Sequence, residues 1–252
     1  MRQSEELARL IAESANTVFF GGAGVSTESG IPDFRSESGL YAAQKTYGHS
    51  PEELLSSGLF RRDPALFFRY YKENLIHMDA KPNAAHQALA DLERQGRMQA
   101  VITQNIDGLH QAAGSRTVWE LHGSNWRQLC MGCGTRYDLP YIMDPTNCKD
   151  GLIPICAKCG KTVRPDVVLY GEGLDNAVVE GAIAAIAAAE LLIVGGTSLA
   201  VYPAAGLLGY FRGGNLVLVN KSETSADKHA TLVIHEAIGE VFGNVMGILS
   251  RN

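Results

Sequence analysis

The chain has 252 residues and a formal net charge of -5, and 46% of its residues are hydrophobic. This composition is typical of a globular protein with a substantial core, and the acidic balance argues against a general affinity for nucleic acid. No apolar run approaches the ~20 residues that span a bilayer, and the acidic N-terminal segment does not resemble a secretory signal. We therefore expect a cytoplasmic protein that binds neither a membrane nor a specific nucleic acid.

Apolar strands alternate with helices along the chain, which predicts an α/β fold: a Rossmann-like, doubly wound parallel sheet. A helix is predicted over 4–15 with Ser4 as its N-cap, followed by a strand over 17–20. The remaining predicted elements are strands at 99–103, 167–169, 191–194 and 216–219 and helices at 83–93, 176–190 and 236–249. In such folds, ligands bind beyond the carboxyl ends of the strands.

The glycine-rich segment after the first strand carries more chemistry than a simple turn requires. Gly22-Ala23-Gly24 lets the backbone approach a phosphate with its N–H groups, and Asp33-Phe34-Arg35 adds a carboxylate, an aromatic ring and a cation. Thr27 stands where the dehydrogenase fingerprint has glycine or alanine, and no acidic residue closes a second strand about 20 residues on. The segment therefore indicates a dinucleotide site but disfavours a hydride-transfer enzyme.

Two regions interrupt the alternation of strands and helices. Residues 37–79 are helical and aromatic, and residues 127–163 are rich in turns and contain all five cysteines. We interpret them as insertions that form a smaller lobe, the first helical and the second a zinc-binding ribbon. The Rossmann-like domain then comprises residues 1–36, 80–126 and 164–252.

The cysteines indicate a metal site. Cys130 and Cys133 form one C-x-x-C pair and Cys156 and Cys159 another, with 22 residues between the pairs. Four thiolates in this pattern suit tetrahedral Zn²⁺ at about 2.3 Å, with a redox or iron–sulfur site as the alternative. Because four sulfurs fill the coordination sphere of zinc, we expect a structural role without catalysis at the metal. We interpret Cys148 as a spare thiol in a loop.

Two further polar groups follow predicted strands. The run Gln104-Asn105-Ile106-Asp107 carries two amides and a carboxylate, which suit either a ligand or a helix cap. His122 stands 15 residues after Asp107, immediately before the cysteine-rich insertion. A histidine with a pKa near its usual ~6.5 can act as a general base at neutral pH. His122 is therefore a catalytic candidate, whereas the other six histidines are interpreted as structural.

Taken together, these motifs resemble those of the sirtuin family, the NAD-dependent protein-lysine deacylases. The matching motifs are Gly22-Ala23-Gly24-Val25-Ser26, Gly30-Ile31-Pro32-Asp33-Phe34-Arg35, Thr103-Gln104-Asn105-Ile106-Asp107, His122-Gly123, the two cysteine pairs, Gly196-Thr197-Ser198-Leu199 and Asn220. They occur in the family's order from about residue 15 to residue 220. The chain is thus identified as a short prokaryotic member with a Rossmann-like NAD-binding domain.

The resemblance implies roles for individual residues. His122 would be the catalytic base that takes a proton from a ribose hydroxyl, and Asn105 and Asp107 would share in catalysis at the nicotinamide carboxamide. The implied NAD-binding residues are Gly22, Ala23, Gly24, Thr27, Asp33, Phe34, Arg35, Gln104, Asn105, Ile106, Asp107, His122, Gly196, Thr197, Ser198, Asn220 and Ile238. The implied products are nicotinamide, O-acyl-ADP-ribose and the deacylated lysine.

The resemblance also implies how the substrate binds. An acyl-lysine peptide would lie as an added strand between two segments of the chain, a mode that leaves sequence selectivity loose. The implied substrate-binding residues are Val168, Gly171, Glu172, Val201 and Tyr202.

The segment Phe68-Arg69-Tyr70-Tyr71 bears on the choice of acyl group. Relatives that prefer acidic acyl groups carry a Tyr-x-x-Arg pair here, and this chain has Tyr71 in place of the arginine. We therefore expect acetyl or a longer neutral acyl group. The sequence does not reveal the oligomeric state, for which we favour a monomer. Two alternatives stay open: a mono-ADP-ribosyltransferase that uses the same NAD site, and a non-catalytic NAD-sensing module.

Overall fold

Strands and helices alternate in the computed structural model, which describes residues 2–32 and 37–251. The strands are β1 (Thr17–Gly21), β2 (Ala100–Thr103), β3 (Val118–Glu120), β4 (Gly123–Cys130), β5 (Arg136–Asp138), β6 (Cys148–Lys149), β7 (Ile153–Pro154), β8 (Val163–Val167), β9 (Leu191–Gly195), β10 (Asn215–Val219) and β11 (Leu232–Ile234). The helices are α1 (Arg2–Glu13), α2 (Glu37–Tyr47), α3 (Pro51–Leu54), α4 (Ser57–Arg62), α5 (Pro64–Asn74), α6 (Ala84–Arg94), α7 (Leu109–Ala113), α8 (Leu139–Met143), α9 (Asn176–Ala188) and α10 (Ile238–Leu249). Within these residues, none of the helices is both long and apolar enough to cross a membrane.

Six strands of the described chain form one parallel sheet in the spatial order β11-β10-β9-β1-β2-β3. The order runs outward in opposite directions from β1 and β9, as in doubly wound dinucleotide-binding folds. The crevice where the direction of winding changes therefore lies beyond the carboxyl ends of β1 and β9, at Gly21 and Gly195. The predicted Rossmann-like sheet is confirmed.

Neighbouring residues of β1 face opposite sides of the sheet, so apolar side chains project from both faces. A layer of apolar residues packs against each face. Phe19 packs with α1, α6 and α10, whereas Phe20 packs with α9 on the other face, and both rings are fully buried. Every residue of β1 is buried, which explains why its sequence is continuously apolar rather than alternating. Burial of each phenyl ring contributes about 1.5–3 kcal/mol.

A second core lies in the smaller lobe. The buried aromatic residues of α4 and α5, together with Leu54 of α3, pack with residues of α8 and of the antiparallel sheet β5-β4-β8. Phe67 and Tyr71 of α5 stack with their ring planes 9° apart and are fully buried. The predicted smaller lobe, helical on one side and cysteine-rich on the other, is confirmed.

Several predictions about individual elements are wrong. The strand predicted at 167–169 is β8, which ends at Val167 and pairs antiparallel with β4 outside the main sheet. An apolar triplet does not reveal which sheet receives it. Helix α1 begins at Arg2, so Ser4 is not its N-cap but a buried residue of its inner face. The three-residue strands β3 and β11 were missed because such short elements show no periodicity.

Candidate active site and metal centre

A cavity of about 210 Å³ lies where loops beyond the parallel sheet meet the smaller lobe. Ala23, Gln104 and His122 contribute to its wall from the sheet side, and Leu55 and Tyr71 contribute from the helical insertion. The predicted substrate-binding residues Val168, Gly171, Glu172, Val201 and Tyr202 all line the same cavity. The predicted site residues Asp33, Phe34 and Arg35 lie outside the described residues.

The glycine-rich loop crosses the loop after β9 at very short range. The backbone N–H of Gly24 donates to the carbonyl oxygen of Gly196 at 2.8 Å. A Cβ atom at position 24 would lie 2.8 Å from the Cα of Gly196, which itself has φ +60°. The hydroxyl of Thr27 donates to the Gly24 carbonyl at 3.0 Å. The crossing brings the predicted phosphate-binding residues together at the switch point of the sheet, where dinucleotides bind.

Ser26 links the glycine-rich loop to the run after β2. Its buried hydroxyl donates to Oδ2 of Asp107 at 2.7 Å and accepts from the side-chain amide of Asn105 at 3.0 Å. The other carboxylate oxygen of Asp107 accepts the backbone N–H of Leu109, the first residue of α7, at 2.9 Å, and Asp107 also lines the cavity. Sequence reasoning gave Ser26 no role, although its position inside the glycine-rich motif was an available signal.

Gln104 connects His122 with the loop after β9. Nδ1 of His122 lies 2.8 Å from the backbone carbonyl oxygen of Gln104. A carbonyl can only accept, so Nδ1 carries the proton in the neutral ring and Nε2 is the basic nitrogen. The side-chain amide of Gln104 donates to the hydroxyl of Thr197 at 3.1 Å. His122 is thereby held in the tautomer that a general base requires.

The remaining predicted NAD-binding residues lie further along the sheet edge. Thr197 is buried, Ser198 is exposed, and Asn220 follows β10 with its backbone N–H on the carbonyl of Ile234 at 3.0 Å. Ile238 is 4% exposed, begins α10 and packs in the main core. The structure therefore brings Thr197, Ser198 and Asn220 to the crevice edge and places the Ile238 side chain beneath it.

Val168 and Glu172 belong to one segment that is fixed to the site by hydrogen bonds. The backbone N–H of Val168 donates to the carbonyl of His122 at 3.0 Å. Glu172 forms a 2.7 Å ion pair with Arg164, and its Oε2 accepts the backbone N–H of Leu169 at 2.9 Å. Desolvation acts to raise the pKa of Glu172, but the hydrogen bonds from Arg164 and from the Leu169 backbone, together with the positive charges nearby, outweigh it, and the pKa lies below its usual value. The Glu172 carboxylate thus anchors the segment, a task that sequence reasoning did not foresee.

Tyr71 forms part of the cavity wall with a neutral hydrogen-bonding group. Its hydroxyl donates to Oδ1 of Asn125 at 2.7 Å, and both side chains are buried. Burial raises the pKa of Tyr71 well above its usual range, which keeps the phenol protonated. Arg69 lies on the exposed side of α5, and no lysine or arginine lines the cavity in the part of the chain that the structure describes.

The two C-x-x-C pairs converge as predicted. The sulfurs of Cys130 and Cys159 are 3.4 Å apart, those of Cys133 and Cys156 are 3.6 Å apart, and all four lie within 4.8 Å of one another. A tetrahedron with Zn–S distances near 2.3 Å requires sulfurs about 3.8 Å apart, so the donor set fits zinc. The hydroxyl of Tyr137 lies 3.0 Å from the Cys156 sulfur, a contact that suits a metal-bound thiolate.

Comparison with known proteins gives consistent findings. The sequence model of the Sir2 family matches residues 22–203 of this chain. The chain is 54% identical over 241 residues to the NAD-dependent protein deacetylase of Clostridium acetobutylicum, covering 96% of this chain and 97% of that protein. It is also similar to a solved structure of Sir2 with a p53 peptide and NAD⁺, with a TM-score of 0.86, 39% identity and 98% and 99% of the two chains covered. A Sir2 variant with a deacetylated p53 peptide and 3′-O-acetyl ADP-ribose has a TM-score of 0.88 at 40% identity, and 98% of both chains is covered.

Proposed function

The chain belongs to the Sir2 family, and from this premise we propose that its cavity removes acetyl groups from protein lysine side chains in an NAD-dependent reaction. The protein is an NAD-dependent protein-lysine deacetylase that releases nicotinamide and transfers the acyl group to ADP-ribose. The observation that carries this conclusion is the hydrogen-bonded set formed by Ser26, Asn105 and Asp107 on the cavity that His122 and Val168 also line.

Asn105, Ile106 and Asp107 hold the carboxamide of the nicotinamide in this proposal. Bound NAD supplies the ribose carbon that accepts the acyl oxygen, with nicotinamide as the leaving group. The fixed Asp107 carboxylate favours the positive charge that develops at that carbon, because a preorganised charge in a desolvated site needs no reorganisation. We propose that Asp33, Phe34 and Arg35 also bind NAD, together with Ala23 and Thr27.

His122 takes a proton from a ribose hydroxyl at Nε2. The Gln104 carbonyl on Nδ1 stabilises the imidazolium that results, because it accepts a stronger hydrogen bond from the charged ring. The weak nucleophile, a neutral amide oxygen, needs to be held close to the ribose carbon, and positioning of this kind contributes up to ~7–11 kcal/mol. The segments at Val168, Gly171-Glu172 and Val201-Tyr202 provide it by binding the peptide as an added strand.

The position of Tyr71 supports a preference for neutral acyl groups. A succinyl carboxylate entering this cavity would lose its hydration and find no lysine or arginine among the described lining residues. An acetyl or propionyl group carries no such charge and is buried at little cost.

We also propose the domain boundaries given by the sequence, with the smaller lobe at 37–79 and 127–163. We further propose that the enzyme is a monomer. A cytoplasmic location is supported by the bacterial deacetylases to which the chain is similar. The net charge of -5 disfavours a specific nucleic-acid partner.

The experiment that tests the function uses one lysine peptide carrying acetyl, propionyl or succinyl, with and without NAD, and follows product masses. We expect NAD-dependent loss of acetyl and propionyl with O-acyl-ADP-ribose as co-product, and at least tenfold slower loss of succinyl, equivalent to about 1.4 kcal/mol. ADP-ribose added to protein would favour the transferase alternative. Unchanged peptide and unchanged NAD would favour the sensing module, and rapid removal of succinyl would contradict the neutral-acyl assignment.

A further inference from the structure

Trp126 is a large aromatic residue that is 44% exposed yet has a specific hydrogen bond at the edge of the site. It lies in β4, and its indole N–H donates to the backbone carbonyl of Asp107 at 2.8 Å. The carboxylate of the same Asp107 is held separately by Ser26 and by the backbone N–H of Leu109. Asp107 is therefore fixed from two sides, at its side chain by the glycine-rich loop and at its backbone by β4.

The indole ring also packs directly on the residue after Asp107. Gly108 has φ +76°, and a Cβ atom there would lie 2.6 Å from Cδ1 of Trp126, so only a glycine allows the ring this close. The neighbouring residue Asn125 donates its backbone N–H to the carbonyl of Ile106 at 2.8 Å. Two consecutive residues of β4 thus hold two consecutive carbonyls of the segment that carries Asn105 and Asp107.

We infer that Trp126 is a positioning residue for the reaction: it holds the backbone of the segment 105–108 so that the Asn105 and Asp107 side chains meet the nicotinamide end of NAD in a productive geometry. The inference rests on the proposed function. Without the indole N–H, the Asp107 carbonyl turns to water and the peptide unit between Asp107 and Gly108 gains freedom. The side chains that act on nicotinamide lie on that same segment.

The test compares Trp126→Phe, which keeps an aromatic ring over Gly108 but removes the donor, with Leu129→Ala as a matched control. Leu129 is exposed on the same strand and has no assigned role in the site. The measurements are kcat and KM for NAD with saturating acetyl peptide, the rate of labelled nicotinamide exchange into NAD, the zinc content and the melting temperature.

For Trp126→Phe we expect kcat/KM for NAD and the rate of nicotinamide exchange to fall about tenfold, since small misplacements at a reacting centre are costly. Zinc content and melting temperature stay at wild-type values, and Leu129→Ala matches wild type throughout. A Trp126→Phe enzyme with wild-type kcat/KM for NAD would overturn the inference. The inference would also be overturned if Trp126→Phe lost zinc and thermal stability in parallel with its activity, because that would show a merely structural role. A wild-type protein with no NAD-dependent deacetylation would instead refute the proposed function.

Discussion

The backbone carbonyl of Gln104 sets the tautomer of His122. The carbonyl oxygen of Gln104 accepts from Nδ1 at 2.8 Å and thereby leaves Nε2 as the proton acceptor. A side-chain partner could rotate away, but this carbonyl is fixed by the strand end that it follows. The tautomer is therefore determined by the backbone of β2.

Replacement of His122 by alanine should abolish deacetylation while NAD still binds. General-base catalysis typically contributes about 10²- to 10⁴-fold, so the deacetylation rate should fall by at least about 100-fold. Calorimetric titration with NAD checks that binding is retained, and His229→Ala, an exposed histidine outside the cavity, is the control. Full activity of His122→Ala would refute the assigned base.

At this scale, sequence patterns identified the residues with motif chemistry but not those that support them. Gly24, Asp107 and His122 stand in recognisable runs. The partners of Ser26, Asn125 and Trp126, in contrast, are distant in sequence, even though Ser26 itself lies in the glycine-rich run. The hydrogen bond from Tyr71 to Asn125 joins residues 54 positions apart, and no local pattern reports such a contact. Arg164 was likewise missed because no local pattern pairs it with Glu172, eight residues further along the chain.

Among the elements, α6 and α7 pack through two buried histidines. The rings of His86 and His110 have centroids 4.8 Å apart, and burial lowers the pKa of His86 to about 4 and that of His110 to about 3. Both rings are neutral in the folded protein at neutral pH. Both nitrogens of His110 and Nε2 of His86 lack a hydrogen-bond partner among the described residues, so the pair is buried at a cost.

The histidine pair should make stability depend on pH in a defined window. An unfolded histidine binds a proton below about pH 6.5, and the folded rings resist it. Acidification from pH 6.5 toward 4 should therefore lower the free energy of unfolding, by up to about 1.4 kcal/mol per pH unit for each ring.

Urea unfolding at pH 7 and pH 5 checks this dependence. His110→Phe should lose less stability than wild type over that interval because one of the two rings no longer takes up a proton on unfolding. The exposed His229→Asn variant should behave like wild type. Equal pH dependence in His110→Phe and wild type would contradict the assignment.

Elements with strong local signals were predicted more accurately than elements defined by pairing. The strand β9 and the helix α9 were recognised from apolar runs of sufficient length. In contrast, β4 and β8 combine exposed polar residues with buried ones, and their pairing is interrupted between Ser124 and Gln128. Their strand character comes from the antiparallel partner rather than from intrinsic preference.

In the whole molecule, strand β4 joins the two chemically distinct centres. It begins one residue after His122 and ends at Cys130, the first cysteine of the metal centre. Asn125 and Trp126 lie between them and contact the segment that carries Asp107. The smaller lobe has its own core around Phe67 and Tyr71, and the zinc-binding cysteines Cys130 and Cys156 pack against that core. Loss of zinc should therefore damage catalysis through one continuous strand.

The variant Cys130→Ala tests this connection. An incomplete ligand set should release zinc and unfold or aggregate the smaller lobe, because metal binding contributes directly to the folding free energy of such sites. The zinc content, the near-ultraviolet circular dichroism signal and the deacetylation rate should all decline together. Cys148→Ala, outside the four-sulfur cluster, should keep its zinc and its activity. A folded, zinc-free and active Cys130→Ala protein would show that the metal assignment is wrong.

The close crossing of Gly24 over Gly196 affects how a mutational library of this enzyme should be read. Any side chain at either position would intrude on the neighbouring loop, and position 196 also requires a left-handed backbone. In a saturation screen scored by activity, positions 24 and 196 would therefore tolerate as few substitutions as the residues that contact NAD. Their intolerance would persist in a screen scored only by protein abundance, whereas variants of His122 would survive that second screen.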